Sequence, residues 1–226
     1  MKSNFQEAHL AYESAYPNSP FFETWVPEEK FLSADFDGQG NFAIGREDGG
    51  IYGIALGANP TIPNNWKNFS MESRGVKNLP DEFKIVVEWD CYWAPTTSGE
   101  NVPPAMASDE EIDAFLKTHA PDSSVFPGND EILQWVEVRD HHRLVAIAAL
   151  CRWESGRVVI SSVATDSQLR GKGFGKLLMG RCLDAGSQYG EKYLSLGVRH
   201  LNESAQRLYA STGFRLMHNF TYCERR

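Results

Sequence analysis

Between Val163 and Lys176 the chain reads VATDSQLRGKGFGK, with glycines at 171, 173 and 175 where a β-branched stretch gives way to a helical pattern. Glycine reaches dihedrals closed to other residues and leaves main-chain N–H groups uncovered. At a helix start those N–H groups and the positive end of the dipole make an anion cradle. Arg170 with Lys172 or Lys176 can add charge-assisted bonds to phosphate. The chemistry implied is phosphate binding, with a diphosphate as the expected group.

The spacing narrows the ligand. A Walker A loop needs GxxxxGK followed by Ser or Thr, but Gly175-Lys176 is followed by Leu177 and the first glycine position holds Arg170. The dinucleotide pattern GxGxxG fails as well, because the third position after Gly173 is Lys176. The pattern that fits is RxxGxG, Arg170-Gly-Lys-Gly173-Phe-Gly175. A second signature follows: Leu196-Gly-Val198, then Asn202, Ala205, Leu208-Tyr209 and Gly213-Phe214. From about Ser108 to the C-terminus, the chain resembles the GNAT superfamily of acyl-CoA-dependent N-acyltransferases.

That resemblance implies a mixed α/β (α+β) fold with splayed central strands, and acetyl-CoA as acyl donor. The main chain of Arg170, Gly171, Lys172, Gly173, Phe174, Gly175 and Lys176 would hold the pyrophosphate. The strand carrying Val163 and Thr165 would pair with the pantetheine arm, Asn202 would contact the arm or orient its helix, and Tyr209 would be the acid that protonates the departing thiolate. A phenol of ordinary pKa near ~10 keeps its proton at neutral pH and suits that task. Each residue has a plainer reading: Asn202 as an N-cap, Tyr209 as a core aromatic, Lys172 and Lys176 as solvated charges. Three glycines at a helix start are costly unless a ligand needs them. The expected reaction is direct attack of a primary amine in a ternary complex; the alternative is a catalytically silent acyl-CoA-binding sensor or partner module. Glu137, Asp140, His141, His142 and Ser162 lie on or beside strands as base candidates, and strand parity does not choose among them.

Around this turn the periodicities predict a helix over 109–119 opened by the capping box of Ser108-Asp-Glu-Glu111. Strands are expected over 133–138, 144–153 and 157–165. A helix carrying Phe174, Leu177, Leu178 and Cys182, a strand over 193–198, a helix between Asn202 and Gly213, and one or two closing strands over 214–223 complete a catalytic domain of 105–226. A turn-rich stretch, 94–104, is the expected linker. Before it, 1–104 reads as β-rich: a hairpin over 42–46 and 51–56, a strand over 83–93, and mostly turn chemistry over 58–82. Arg46-Glu-Asp-Gly-Gly-Ile-Tyr-Gly-Ile-Ala and Arg139-Asp-His-His-Arg-Leu-Val-Ala-Ile-Ala are alike in pattern. The likeness marks either a degenerate GNAT-like half that binds no coenzyme or two hairpins alike by accident. Trp66, Trp89, Tyr92 and Trp93 are its candidate pocket-wall residues.

Composition bounds the partners. The 226 residues carry a net charge of −8. All of it lies up to Ala105, where 7 Lys and Arg face 15 Asp and Glu; the remainder has 15 of each. The absence of a basic face argues against nucleic acid, and the acidic part suits either a cationic amine or plain solvation. No apolar run is long enough for a membrane helix, and the N-terminus lacks a signal pattern, so a cytoplasmic setting is expected. The four cysteines, Cys91, Cys151, Cys182 and Cys223, form no CxxC pair, so neither metal nor disulfides are expected. The expected partner is a small-molecule or protein amine, with a homodimer as the assembly to test.

Overall fold

The computed structural model describes residues 4–99 and 101–226; Glu100, inside the expected linker, lies outside them. The described chain forms two compact units. The first contains the residues up to Cys91 together with Val198–Asn202 and Leu216–Arg226; the second contains Tyr92–Gly197 and Glu203–Arg215.

The second unit holds β6 (Ile132–Asp140), β7 (Arg143–Arg152), β8 (Val158–Thr165) and the start of β9 (Tyr193–Arg199), with helices α3 (Asp109–His119), α4 (Phe174–Gln188) and α5 (Glu203–Ser211). The strand order is β9-β8-β7-β6, antiparallel except for β8 with β9. β7 is buried from Leu144 to Cys151, as expected for a strand covered on both faces. On one face α3 sets Ile112, Phe115 and Leu116 against Trp135, Ile147, Ala149 and Val159. Leu178, Met179 and Cys182 of α4 are buried, and that helix packs against β6, β7 and β8. α3 begins as expected, with Ser108 accepting a hydrogen bond from the Glu111 amide.

The first unit begins with two helices absent from the sequence reading, α1 (Phe5–Ala15) and α2 (Phe21–Trp25). β1 (Phe31–Phe36), β2 (Phe42–Glu47), β3 (Ile51–Leu56), β4 (Asn68–Glu72), most of β5 (Phe83–Pro95) and most of β10 (Arg215–Arg225) follow, in the order β1-β2-β3-β4-β10-β5. β1, β2 and β3 are antiparallel neighbours, and β3 runs parallel to β4. β4 falls inside 58–82, so that stretch is not only turns. Both faces of β2 and β3 are covered. Tyr12, Phe21 and Phe22 pack against Ile44, Ile54 and Phe220 on one side, while Trp66, Phe69 and Met71 fill the other. Trp66 lies flat on Gly53, where a Cβ would collide with its ring, so this tryptophan is core. A buried polar relay crosses the aromatic layer: Tyr12 Oη bonds Ser19 Oγ at 2.7 Å and His218 Nε2 at 2.9 Å, and His218 Nδ1 meets Glu72 at 3.1 Å.

Candidate active site

β8 and β9 are paired by one register pair, Val159 opposite Ser195; among the described residues they form no further pair and part beyond it. β8 is also bulged. Ile147 faces Ala164 and Ala149 faces Ser161, so Ala148 alone opposes Ser162 and Val163. A bulge leaves one residue of its pair outside the ladder. Ser162 takes a left-handed φ of 51°, uncommon for a residue with a side chain. It is clamped there by Val125, whose N–H donates to Ser162 Oγ at 3.0 Å and whose carbonyl accepts from it at 2.8 Å.

From Thr165 the chain turns through a short 3-10 helix, Ser167–Leu169, into α4. Buried Asp166 organises this turn: it accepts from the Gln168 amide at 2.9 Å and pairs with Arg143. The sequence reading gave Asp166 no role, although an Asp opening a turn before a glycine run was its available signal. Gly171 and Gly173 have φ of 81° and 90°, and a Cβ on either would meet nothing within 4 Å. The first turn of α4 carries no acidic residue, and its N-cap is Gly173, so no side chain caps its amides. The result is a helix N-terminus with uncovered N–H groups, flanked by exposed Arg170, Lys172 and Lys176. The fit to a diphosphate rests on that open space and on the missing acids.

Gly175 differs. A Cβ there would lie 3.2 Å from Leu208 of α5 and 3.4 Å from Thr165 Oγ1, so this glycine lets α5 and the end of β8 approach α4 closely. The sequence pattern 171-173-175 therefore combines two dihedral needs and one packing need. Phe174 opens α4 and is half-buried. Tyr209, in the last turn of α5, is buried with its ring 5.9 Å from those of Tyr92 and Phe214. Burial pushes its hydroxyl pKa well above the usual phenol value, so it is protonated at every physiological pH. Asn202 is exposed, immediately precedes α5, and belongs to the first unit rather than the second.

A family profile described as the Acetyltransferase (GNAT) family matches residues 93–214, more than half of the chain. The chain belongs to the GNAT acetyltransferase family. Two solved GNAT structures cover this chain in full. One is a GCN5-related N-acetyltransferase from Kribbella flavida, with a TM-score of 0.53, 16% identity and 96% of that chain covered. The other is an acetyltransferase from Colwellia psychrerythraea, with a TM-score of 0.52, 12% identity and 98% covered. At such identities the likeness is one of fold. N-acetylaspartate synthetase of Rattus norvegicus is 34% identical over 83 residues, which is 37% of this chain and 28% of that protein.

Two of the base candidates of this GNAT chain, Glu137 and Ser162, are engaged elsewhere. Glu137 is buried, accepts from the Ala107 amide at 3.2 Å and pairs with Arg139 at 3.1 Å. Ser162 is held by Val125. Asp140, His141 and His142 stand exposed at the β6–β7 turn, the default reading for histidines at a hairpin tip. A polar group the sequence reading missed is Ser195. It is fully buried where β8 and β9 part, and among the described residues its Oγ has no hydrogen-bond partner. No sequence signal marks it, since YLSLGV reads simply as an apolar strand. Among the described residues no helix is long and apolar enough to cross a membrane.

Proposed function

We propose that this protein is an N-acetyltransferase that moves an acetyl group from acetyl-CoA to a primary amine within a ternary complex. The reading is carried by one observation: an uncapped helix start opened by Gly171 and Gly173 lies just after a bulged strand that parts from its parallel neighbour. The amides of 170–176 hold the pyrophosphate, with Arg170, Lys172 and Lys176 adding charge. The pantetheine arm runs along β8, with Val163 and Thr165 as main-chain partners.

In the reaction the neutral amine attacks the thioester carbonyl carbon, a C–N bond forms and the oxygen takes negative charge. The N–H at Val163 in the bulge stabilises that oxyanion. As the C–S bond breaks, the thiolate takes the Tyr209 proton. A phenolate in so buried a site is disfavoured, so proton donation is coupled to transfer of the tetrahedral intermediate's ammonium proton back to Tyr209 through water. No side chain described above is committed to act as general base.

The first unit is proposed as a degenerate GNAT-like half. It supports this by repeating an order: helix, three antiparallel strands, then a parallel strand, as in α3, β6, β7, β8 and β9. Its crossover from β3 to β4, residues 57–67, contains no Arg and no glycine triplet, so it binds no coenzyme. A cytoplasmic setting and a homodimer complete the proposal.

The test is calorimetry with coenzyme A, ATP and NAD, followed by thiol release from acetyl-CoA with a panel of amines. Aspartate belongs in that panel because of the name of the rat relative. Heat with coenzyme A alone and thiol release with one amine are expected. Heat without thiol release from any amine would leave the silent-sensor reading standing, and no heat would remove both.

A further inference from the structure

The first unit contains a cavity of about 50 Å³ between α2, β2, β3 and β5. At about 10–15 Å³ per water-sized occupant, it has room for roughly four heavy atoms. Its apolar walls include Trp25, Trp89 and Phe220, with Trp89 stacked on Phe220 at 4.7 Å between ring centroids. Its polar wall is Arg46, Tyr52 and Ser70.

A count of protons on that polar wall shows what is left over. Arg46 Nη1 donates to the Trp25 carbonyl at 3.0 Å and Nη2 to Asp48 at 3.2 Å, and the guanidinium lies over the Tyr52 ring at 5.0 Å. Its Nε is buried with no partner among the described residues. Ser70 Oγ accepts from Trp89 Nε1 at 3.1 Å and shares one hydrogen bond with Tyr52 Oη at 2.6 Å. The two hydroxyls own two protons and their mutual bond uses one. Whichever donates, the other proton is unspent. The wall therefore offers an orphaned guanidinium N–H and one spare O–H, on an arginine whose charge is otherwise met by the exposed, solvent-screened Asp48. An unmet buried donor is costly, and an anion buried without a counter-charge is more so. A ligand that satisfies both conditions presents two acceptor oxygens, one negative charge and a small apolar end.

We propose that this cavity binds a short-chain carboxylate of acetate size, one oxygen on Arg46 Nε and the other on the Tyr52–Ser70 hydroxyl pair, with its methyl group against Trp25 and Trp89. The site stands apart from the acetyl-transfer reading and does not need it.

Two tryptophans on the wall supply the readout. The full-length protein, saturated with coenzyme A so that any acetyl-transfer site is occupied, is titrated with sodium acetate. Sodium chloride, acetamide and methylammonium chloride at equal ionic strength serve as comparisons. A saturable change in tryptophan emission is expected with acetate, with an affinity at least about tenfold above acetamide, as a charge-assisted bond should provide. Methylammonium and chloride should give no saturation. Arg46→Met should weaken acetate at least about tenfold. Tyr52→Phe, which deletes one hydroxyl and keeps the ring, should weaken it several-fold, and it decides the matter if Arg46→Met does not fold. A response to acetate no different from chloride, or wild-type titration in the folded variants, overturns the site. So does a crystal grown in acetate that shows only waters in the cavity.

Discussion

Gly173→Ala separates a glycine kept for its dihedral from one kept for a ligand. Gly173 has φ 90° and ψ −6° at the N-cap of α4, and an added Cβ meets nothing within 4 Å. The fold therefore bears only the left-handed penalty, about 1–2 kcal/mol, offset by about 0.4–1 kcal/mol from the stiffer unfolded chain. A net loss near 1 kcal/mol lowers Tm by about 2–4 °C for a chain of this size. Gly49, in the β2–β3 turn, is a matched control, with φ 63° and equally open surroundings. Gly49→Ala should show a similar Tm loss. The two part on coenzyme binding. A methyl group at 173 stands where the pyrophosphate approaches the α4 amides, and losing one charge-assisted bond of about 1.5–3 kcal/mol weakens binding roughly 10- to 100-fold. Scanning fluorimetry and calorimetry with coenzyme A on both variants make the test. If Gly173→Ala lost stability like Gly49→Ala yet kept wild-type coenzyme affinity, the glycines would be conformational only and the cradle misplaced.

Tyr209→Phe keeps the buried ring and should leave Tm within a degree or two, while kcat for thiol release falls by about 10²–10⁴. Because the folded pKa of Tyr209 is raised, no alkaline limb in kcat should arise from it below about pH 10, and such a limb lost in the Phe variant would contradict the assignment. Ser195→Ala removes a buried hydroxyl that has no partner among the described residues, so the free protein should gain stability, by up to about 1 kcal/mol; a lower Tm would mean the hydroxyl was satisfied after all. Burial pushes Cys182 up to about 12 and Cys151 and Cys223 up to about 11. Raised folded values mean that their stability contribution is full below the unfolded thiol value near ~8.5 and is lost as pH rises through 11 and 12. The urea midpoint should hold steady to about pH 8.5 and fall above it, and a native-state thiol reaction at pH 8 would refute the burial.

How much of this was legible depended on whether a feature is local. The glycine turn, α4 and α5 follow from helical spacing, capping chemistry and glycine stops that act within a few residues, and their observed bounds lie close to those expected. The strand over 83–93 was visible by alternation and only its last two residues were missed. α1 and α2 were not. FQEAHLAYESA mixes aromatics and polar residues with a weak stripe, and FFETW is one turn and a half, so both are helices because Tyr12, Phe21 and Phe22 bury against β2 and β3. β4, five residues set among turn formers, is a strand because it pairs with β3 on one side and β10 on the other. The bulge was invisible for the same reason: VVISSVAT reads as uniform strand, and the left-handed Ser162 exists because Val125, 37 positions away, holds its hydroxyl.

Arg46 and Arg139 show the limit most clearly. Their surroundings in sequence are alike, each is the next-to-last residue of a strand before a hairpin turn, and pattern alone treats them as equivalents. Arg139 is spent: it binds Glu111 at 2.8 Å, Glu137 at 3.1 Å and the His142 carbonyl at 2.7 Å, tying β6 to α3. Arg46 meets an aromatic layer supplied by α2 and β5, and that layer offers only one carbonyl, from Trp25. Beside the exposed Asp48, this leaves Nε unmet. A guanidinium has five donors in a fixed fork, so its role is set by how many acceptors its neighbours can raise, and those neighbours come from distant segments. The same arginine in the same local pattern is therefore a brace in one unit and, where acceptors run short, the wall of a site that selects an anion.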